Sequence, residues 1–131
     1  MKRKILVVDD DEFIAEALRL ILEVYGYTTQ SAHSASQAVA QAQEFRPDLL
    51  LSDVMMPGMN GFEAGALIKR HCPDCFLLFF SGHTAEPEFS RMSDDLKGKG
   101  YSFEVLRKPL DPGLLLDRII ELLGEGTDPG A

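Results

Sequence analysis

Four groups of polar residues in this 131-residue chain each follow a short apolar run: Asp9-Asp10-Asp11 after Ile5 to Val8, Ser52-Asp53 after Leu49 to Leu51, Ser81-Gly82-His83 after Phe76 to Phe80, and Lys108-Pro109 after Phe103 to Leu106. If the runs are strands of one sheet, carboxylates, a hydroxyl and an amine meet on one rim. Gathering Asp9, Asp10 and Asp53 there is costly without a cation, because two unit charges about 4 Å apart repel by about 4 kcal/mol at an effective dielectric near 20. A few carboxylates, with room left for water and a phosphate oxygen, suit Mg²⁺ better than zinc or a calcium cage. The chemistry open to this set is phosphoryl transfer to a carboxylate. Asp53 is the candidate nucleophile, a metal and Lys108 neutralise the equatorial oxygens, and Ser81 donates a hydrogen bond. No general base is required, since an aspartate is ionised near neutral pH. Singly, Asp9 to Asp11 would also suit a helix N-terminus, and Lys108 a solvated surface.

The runs Ile5 to Val8, Asp48 to Leu51 and Phe76 to Phe80 are almost continuously apolar, the pattern of strands buried on both faces of a parallel sheet. Thr28 to Ala32 is more polar and suits a sheet edge, and Phe103 to Leu106 is a fifth strand. Between them, Ile14, Ala17, Leu18, Ile21, Leu22 and Tyr25 share one helical face that ends at Gly26. Ser34-Ala35-Ser36-Gln37 has the form of a capping box ahead of Ala35, Ala38, Val39, Ala42 and Phe45, a helix that stops near Pro47. A third helix runs from Asn60-Gly61 to about His71. Phe89, Met92 and Leu96 mark a shorter fourth, broken by Gly98 and Gly100. The last has Asp111 as N-cap, Pro112 at its first position and Gly124 after its final turn. Such alternation implies an α/β fold with right-handed crossovers, helices on both faces of a parallel sheet, and a ligand site beyond the carboxyl ends of the strands.

With 13 Lys plus Arg against 21 Asp plus Glu, the formal charge is −8, and 45% of the residues are hydrophobic. One domain of this size buries about two-thirds of its unfolded surface and needs no disulfide or metal staple. No apolar run approaches the roughly 18 residues of a membrane span. The basic start, Met1 to Lys4, precedes only Ile5 to Val8, whereas a secretory core needs about 7 to 15 apolar residues. A cytoplasmic, reducing location is expected. A sequence pI of about 4.8 argues against a nonspecific grip on nucleic acid. Cys72-Pro73-Asp74-Cys75 follows a helix and precedes a strand, unlike a redox pair at a helix N-terminus, and only His71 is adjacent as a metal ligand. The expectation is one buried thiol and one in a loop.

Val7-Val8-Asp9-Asp10-Asp11, then Ser52-Asp53-Val54-Met55-Met56-Pro57-Gly58-Met59-Asn60-Gly61, then Ser81-Gly82, then Lys108-Pro109 resemble the receiver domain of two-component response regulators, in order and over about residues 3 to 124. The resemblance implies a flavodoxin-like (βα)₅ three-layer sandwich with a five-stranded parallel sheet of order 2-1-3-4-5. It implies a receiver over residues 1–124 and a flexible tail over 125–131. The function implied is a signalling switch rather than an enzyme, phosphorylated on Asp53 in a Mg²⁺-dependent reaction by a histidine kinase or histidine phosphotransfer protein. By matching position, Asp10 ligates Mg²⁺ directly and Asp9 through water, with Asp53 and the Met55 carbonyl completing the protein ligands. Ser81 is the switch hydroxyl, Lys108 the phosphate partner, Gly82 the small residue that keeps the site open, and Lys108-Pro109 a cis bond. Met55 and His83 flank the phosphoryl group, and Asp11 caps the first helix.

The output implied is contact with a downstream protein by a stand-alone receiver, with no direct binding of nucleic acid or membrane. The rival is a constitutive interaction module with a receiver fold that takes no phosphate. An Asp-nucleophile phosphatase would want a second acid two residues after Asp53, where Met55 stands. Two features depart from the family pattern. Val105 occupies the position of an aromatic three residues before the lysine, and the interval from Ser81 to Lys108, 108 − 81 = 27, is long. In the last helix Leu115, Leu116, Ile119, Ile120, Leu122 and Leu123 cover about 160° of arc, with Leu114 outside it, which fits either a partner or homodimer surface or a frayed helix end with scattered surface leucines.

Overall fold

Strands and helices alternate through residues 2–124, the part of the chain that the computed structural model describes. The order is β1 (Lys4–Val8), α1 (Glu12–Val24), β2 (Thr28–Ala32), α2 (Ala35–Phe45), β3 (Leu49–Asp53), α3 (Gly61–His71), β4 (Phe76–Ser81), α4 (Pro87–Gly98), β5 (Glu104–Arg107) and α5 (Pro112–Leu123). All pairings are parallel and the sheet order is β2-β1-β3-β4-β5, the flavodoxin-like topology expected. The tail expected over 125–131 lies outside the described residues. No described helix is long and apolar enough to cross a membrane.

The period of two along the strands divides the core between the sheet faces. Leu6, Val8, Leu50, Leu77 and Phe79 pack under α2, α3 and α4, while Ile5, Val7, Leu49, Leu51, Leu78 and Phe80 pack under α1 and α5. Every residue of β3 is buried, as a central strand requires, whereas β2 at the edge alternates with exposed Thr28 and Gln30. Asp11, Ser34, Asn60 and Asp111 cap α1, α2, α3 and α5 through side-chain oxygens that accept backbone N–H groups. The reciprocal capping box sits at Asn60 and Glu63. At α2, Gln37 Oε1 instead accepts the N–H of His33, one residue ahead of the cap.

Three expectations are corrected. On α1 the buried side chains are Ala15, Leu18 and Leu22, while Ile14, Ala17 and Tyr25 from the predicted stripe are exposed. The helix is apolar around most of its circumference, so periodicity does not select the face that meets the sheet. Both Cys72 and Cys75 are buried, and burial pushes the Cys75 thiol up to about 12, which leaves it unreactive. Phe103 precedes β5 and packs on Phe62 and Phe79.

Phe62, one residue into α3, is the hub of an aromatic cluster, with ring centroids 4.7 Å from Phe79, 5.5 Å from Phe89 and 5.3 Å from Phe103. It ties α3, β4, α4 and the approach to β5 together. Edge-to-face pairs contribute about 0.5–1.5 kcal/mol each beyond area burial. Phe62→Leu, which keeps most of the volume, is expected to lower stability by about 1.5 kcal/mol in urea unfolding. An unchanged midpoint would show that the ring contacts contribute nothing.

Candidate functional site

The sheet register levels the ends of the strands: Val8 stands beside Ser52, Asp53 beside Phe80, and Ser81 beside Arg107. Asp9 directly after β1, Asp53 at the end of β3, Ser81 at the end of β4 and Lys108 directly after β5 therefore share one rim. Carboxylate oxygens of Asp9, Asp10 and Asp53 lie within 4.8 Å of one another. Lys108 Nζ is 3.3 Å from Asp53 Oδ2 and 5.3 Å from the centroid of the Phe80 ring. The Lys108-Pro109 bond is cis, and the Lys108 N–H donates to the Ser81 carbonyl at 3.0 Å.

Burial dominates the electrostatics. Asp9 is 1% exposed; its Oδ1 accepts the Asp11 N–H at 2.9 Å, and its Oδ2 has no partner. Burial pushes the Asp9 carboxyl up to about 6; the Asp11 N–H opposes the shift, the Asp53 charge adds to it and Lys108 opposes it. Burial also raises the Asp53 carboxyl, against the Lys108 ammonium and the Met55 N–H and with the help of Asp10. A buried carboxylate oxygen without a donor, beside two more carboxylates, fits a hard divalent cation with oxygen ligands.

The start of α3 closes against this rim. Gly61 donates its N–H to the Val54 carbonyl at 2.8 Å, and a Cβ at Gly61 would lie 2.2 Å from the Asp53 carbonyl oxygen. Ser52 Oγ donates to that same carbonyl at 2.8 Å. Both residues hold the Asp53 backbone, a role the sequence does not signal, since Gly61 reads as well as a helix start. Ser81 Oγ accepts the His83 N–H at 3.0 Å, and His83 Nδ1 pairs with Glu86 Oε1 at 2.9 Å in an exposed loop. A Cβ at Gly82 would meet only Lys108 carbons at 3.8 and 3.9 Å, so the lysine is left uncrowded. Asp11 turns to the N–H groups of Phe13 and Ile14 as the cap of α1. Met55 and Val105 are half-buried against the core on the α2–α4 side of the sheet.

A family model described as the response regulator receiver domain matches residues 5–120. Among curated proteins, the DNA-binding response regulator MtrA of Mycolicibacterium smegmatis is 44% identical over 69 residues, 53% of this chain and 30% of that protein. The response regulator MprA of Mycobacterium ulcerans is 34% identical over 110 residues, 81% of this chain and 47% of that protein. The chain thus spans less than half the length of these relatives. Among solved structures, a CheY-like receiver domain protein from Methanospirillum hungatei JF-1 superimposes with a TM-score of 0.80 at 30% identity, covering 92% of this chain and 93% of that one. The chemotaxis protein CheY4 of Vibrio cholerae gives a TM-score of 0.80 at 29% identity over 94% and 100% of the two chains. With the acids and the lysine gathered at the ends of a 2-1-3-4-5 sheet and residues 5–120 matched, the chain belongs to the response regulator receiver domain family of two-component signalling.

Proposed function

We propose that this receiver accepts a phosphoryl group on Asp53 in a Mg²⁺-dependent reaction with a histidine kinase or histidine phosphotransfer protein, and that the modified form changes its contacts with a downstream protein in the cytoplasm. The observation that carries this reading is Asp53 itself, buried between the Lys108 ammonium at 3.3 Å and the carboxylates of Asp9 and Asp10 within 4.8 Å. Asp10, Asp53 and the Met55 carbonyl are the residues that would hold the metal, with Asp9 acting through water. When bound, the metal neutralises phosphoryl oxygens.

The chain's own residues supply the rest. An Asp53 carboxylate oxygen forms a P–O bond as the donor's P–N bond breaks and the imidazole departs. Lys108, already on the carboxylate, is placed to follow the charge onto the phosphoryl oxygens, and Ser81 offers its hydroxyl from the adjacent strand end. Gly61 and Ser52 keep the acceptor's backbone fixed while its side chain changes.

Intact mass after incubation with Mg²⁺ and acetyl phosphate tests the assignment. One phosphoryl group should be added, be lost with time, and be absent from Asp53→Asn. No addition, together with no Mg²⁺ binding by titration, would favour a constitutive interaction module instead.

A further inference from the structure

Met92 is half-buried on α4, between Phe89 and Leu96, which anchor the helix in the core a turn before it and a turn after it. Its thioether is hydrogen-bonded as well as packed: Sδ accepts the Asn60 Nδ2–H at 3.1 Å. The amide is held in that direction by the reciprocal cap of α3, in which Asn60 Oδ1 accepts the Glu63 N–H at 2.9 Å and Glu63 Oε1 accepts the Asn60 N–H at 3.1 Å. The start of α3 thus aims one amide N–H at one sulfur of α4. Beside the pair, Asn60, Glu63, Met92, Asp95 and Lys99 line a cavity of about 250 Å³ between the two helices. The phosphoryl chemistry proposed for Asp53 makes no use of this cavity.

A thioether is a weak hydrogen-bond acceptor, but peroxide converts it to a sulfoxide. A sulfur lone pair attacks one peroxide oxygen and the O–O bond breaks. The departing hydroxide takes the proton of the transferred oxygen and leaves as water, so the sulfur is oxidised by two electrons and the peroxide reduced by two. Positive charge develops on the sulfur and negative charge on the departing oxygen. The cavity offers groups for both, the Glu63 and Asp95 carboxylates for the first and the Asn60 amide with the Lys99 ammonium for the second. The polar product is provided for too, because an amide N–H already points at the atom that would carry the new oxygen. Met56 is only 8% exposed, and among the described residues no side-chain donor reaches the sulfur of Met55 or Met59. We propose that Met92 is a site of reversible oxidation by peroxide, its sulfoxide received by the Asn60 amide, and that the modification shifts α4 against the start of α3.

The shift follows from the distances. An N–H···O bond is about 2.9 Å long, so an oxygen set between the amide and the sulfur leaves no room for their present approach of 3.1 Å. One of the two residues has to withdraw. Asn60 is fixed by its cap and by its neighbour Gly61, where even a Cβ would lie 2.2 Å from the Asp53 carbonyl oxygen. Met92 has the open cavity beside it and three rotatable bonds, so the movement falls on the α4 side. There the sulfoxide also replaces an apolar group that packs against the core, which loosens the middle of the helix between Phe89 and Leu96.

Hydrogen peroxide added to the metal-free, unphosphorylated chain, followed in time by peptide mass mapping, tests this independently of the phosphoacceptor reading. Met92 should gain one oxygen about fivefold faster than Met55, Met56 or Met59, the worth of one neutral hydrogen bond. Asn60→Ser keeps a capping oxygen but removes the amide, and should bring Met92 down to the rate of Met55 and Met59, with a melting curve confirming that the variant folds. Amide hydrogen exchange over Pro87–Gly98 should quicken in the oxidised parent, return after treatment with methionine sulfoxide reductase, and stay unchanged in peroxide-treated Met92→Leu. Met55 or Met59 reacting as fast as Met92 overturns the proposal. So does a Met92 rate indifferent to Asn60→Ser, or exchange in α4 that ignores a fully oxidised Met92.

Discussion

Gly61→Ala is expected to lower stability by about 3 kcal/mol and to weaken Mg²⁺ binding at the same time. The added Cβ would lie 2.2 Å from the Asp53 carbonyl oxygen and 3.1 Å from its carbon, with Ser52 Oγ at 3.0 Å. Two of these neighbours are backbone atoms, so no side-chain rotation relieves the clash. The start of α3 must retreat from β3, which strains the 2.8 Å bond from the Gly61 N–H to Val54 and shifts the residue proposed as phosphoacceptor. The roughly 1 kcal/mol that alanine gains over glycine inside a helix is too small to offset this. Gly98→Ala is the contrast, because a Cβ there meets nothing within 4 Å, and a gain of up to about 1 kcal/mol is expected. Urea unfolding without metal, followed by a Mg²⁺ titration, checks both signs. A Gly61→Ala protein as stable as the parent would show that the approach of α3 to Asp53 is looser than the structure has it.

Much of this molecule is legible in its sequence for a physical reason: in a parallel sheet the strand interior must be apolar on both faces and its ends must lie level. The runs containing Leu6, Leu50 and Leu78 therefore announce β1, β3 and β4, and the polar residues that follow them announce the rim. Asp11, Asn60 and Asp111 mark helix starts because their side chains bond the free N–H groups there. Direction and distance are what the sequence leaves out. Periodicity gives the width of an apolar face, not its heading, so the stripe read on α1 is buried at Leu18 and Leu22, half-buried at Ile21 and exposed at Ile14, Ala17 and Tyr25. The closeness of Gly61 to Asp53 is a tertiary distance between segments, and a glycine after an asparagine reads equally well as a turn. The Cys72-Pro73-Asp74-Cys75 run reads as one buried thiol and one in a loop, but the turn bond from the Cys75 N–H to the Cys72 carbonyl folds the chain back so that both thiols are buried.

In the metal-free protein, the Asp9 carboxyl by itself is expected to remove about 3 kcal/mol of stability as pH rises from about 4 to about 6, while the Glu16 and Glu104 carboxyls, held low by Arg19 and Arg118, act in the opposite sense. The folded Asp9 carboxyl titrates at about 6 against 3.8 for the free group, so the folded state holds its proton the more tightly. Below the lower value both states are protonated and the stabilisation is complete. Between the two values the unfolded chain has released its proton while the folded one has not, and the loss accrues at 1.36 kcal/mol per pH unit, about 3 kcal/mol over the interval. The raised Asp53 carboxyl acts in the same sense. The main cause is burial, so relief should be greatest at buried Asp9 rather than at exposed Asp10. Asp9→Asn should raise the metal-free melting temperature at pH 8 and scarcely change it at pH 4, with Asp10→Asn gaining less. Mg²⁺ should offset the loss in the parent protein, since a ligand that binds only the folded state stabilises it, and should do so less in Asp9→Asn. Melting curves from pH 4 to pH 8, with chelator and with Mg²⁺, separate these outcomes. A metal-free profile that is the same in Asp9→Asn as in the parent would mean that the Asp9 carboxylate is solvated rather than buried, and the cluster would then lose its claim to need a cation.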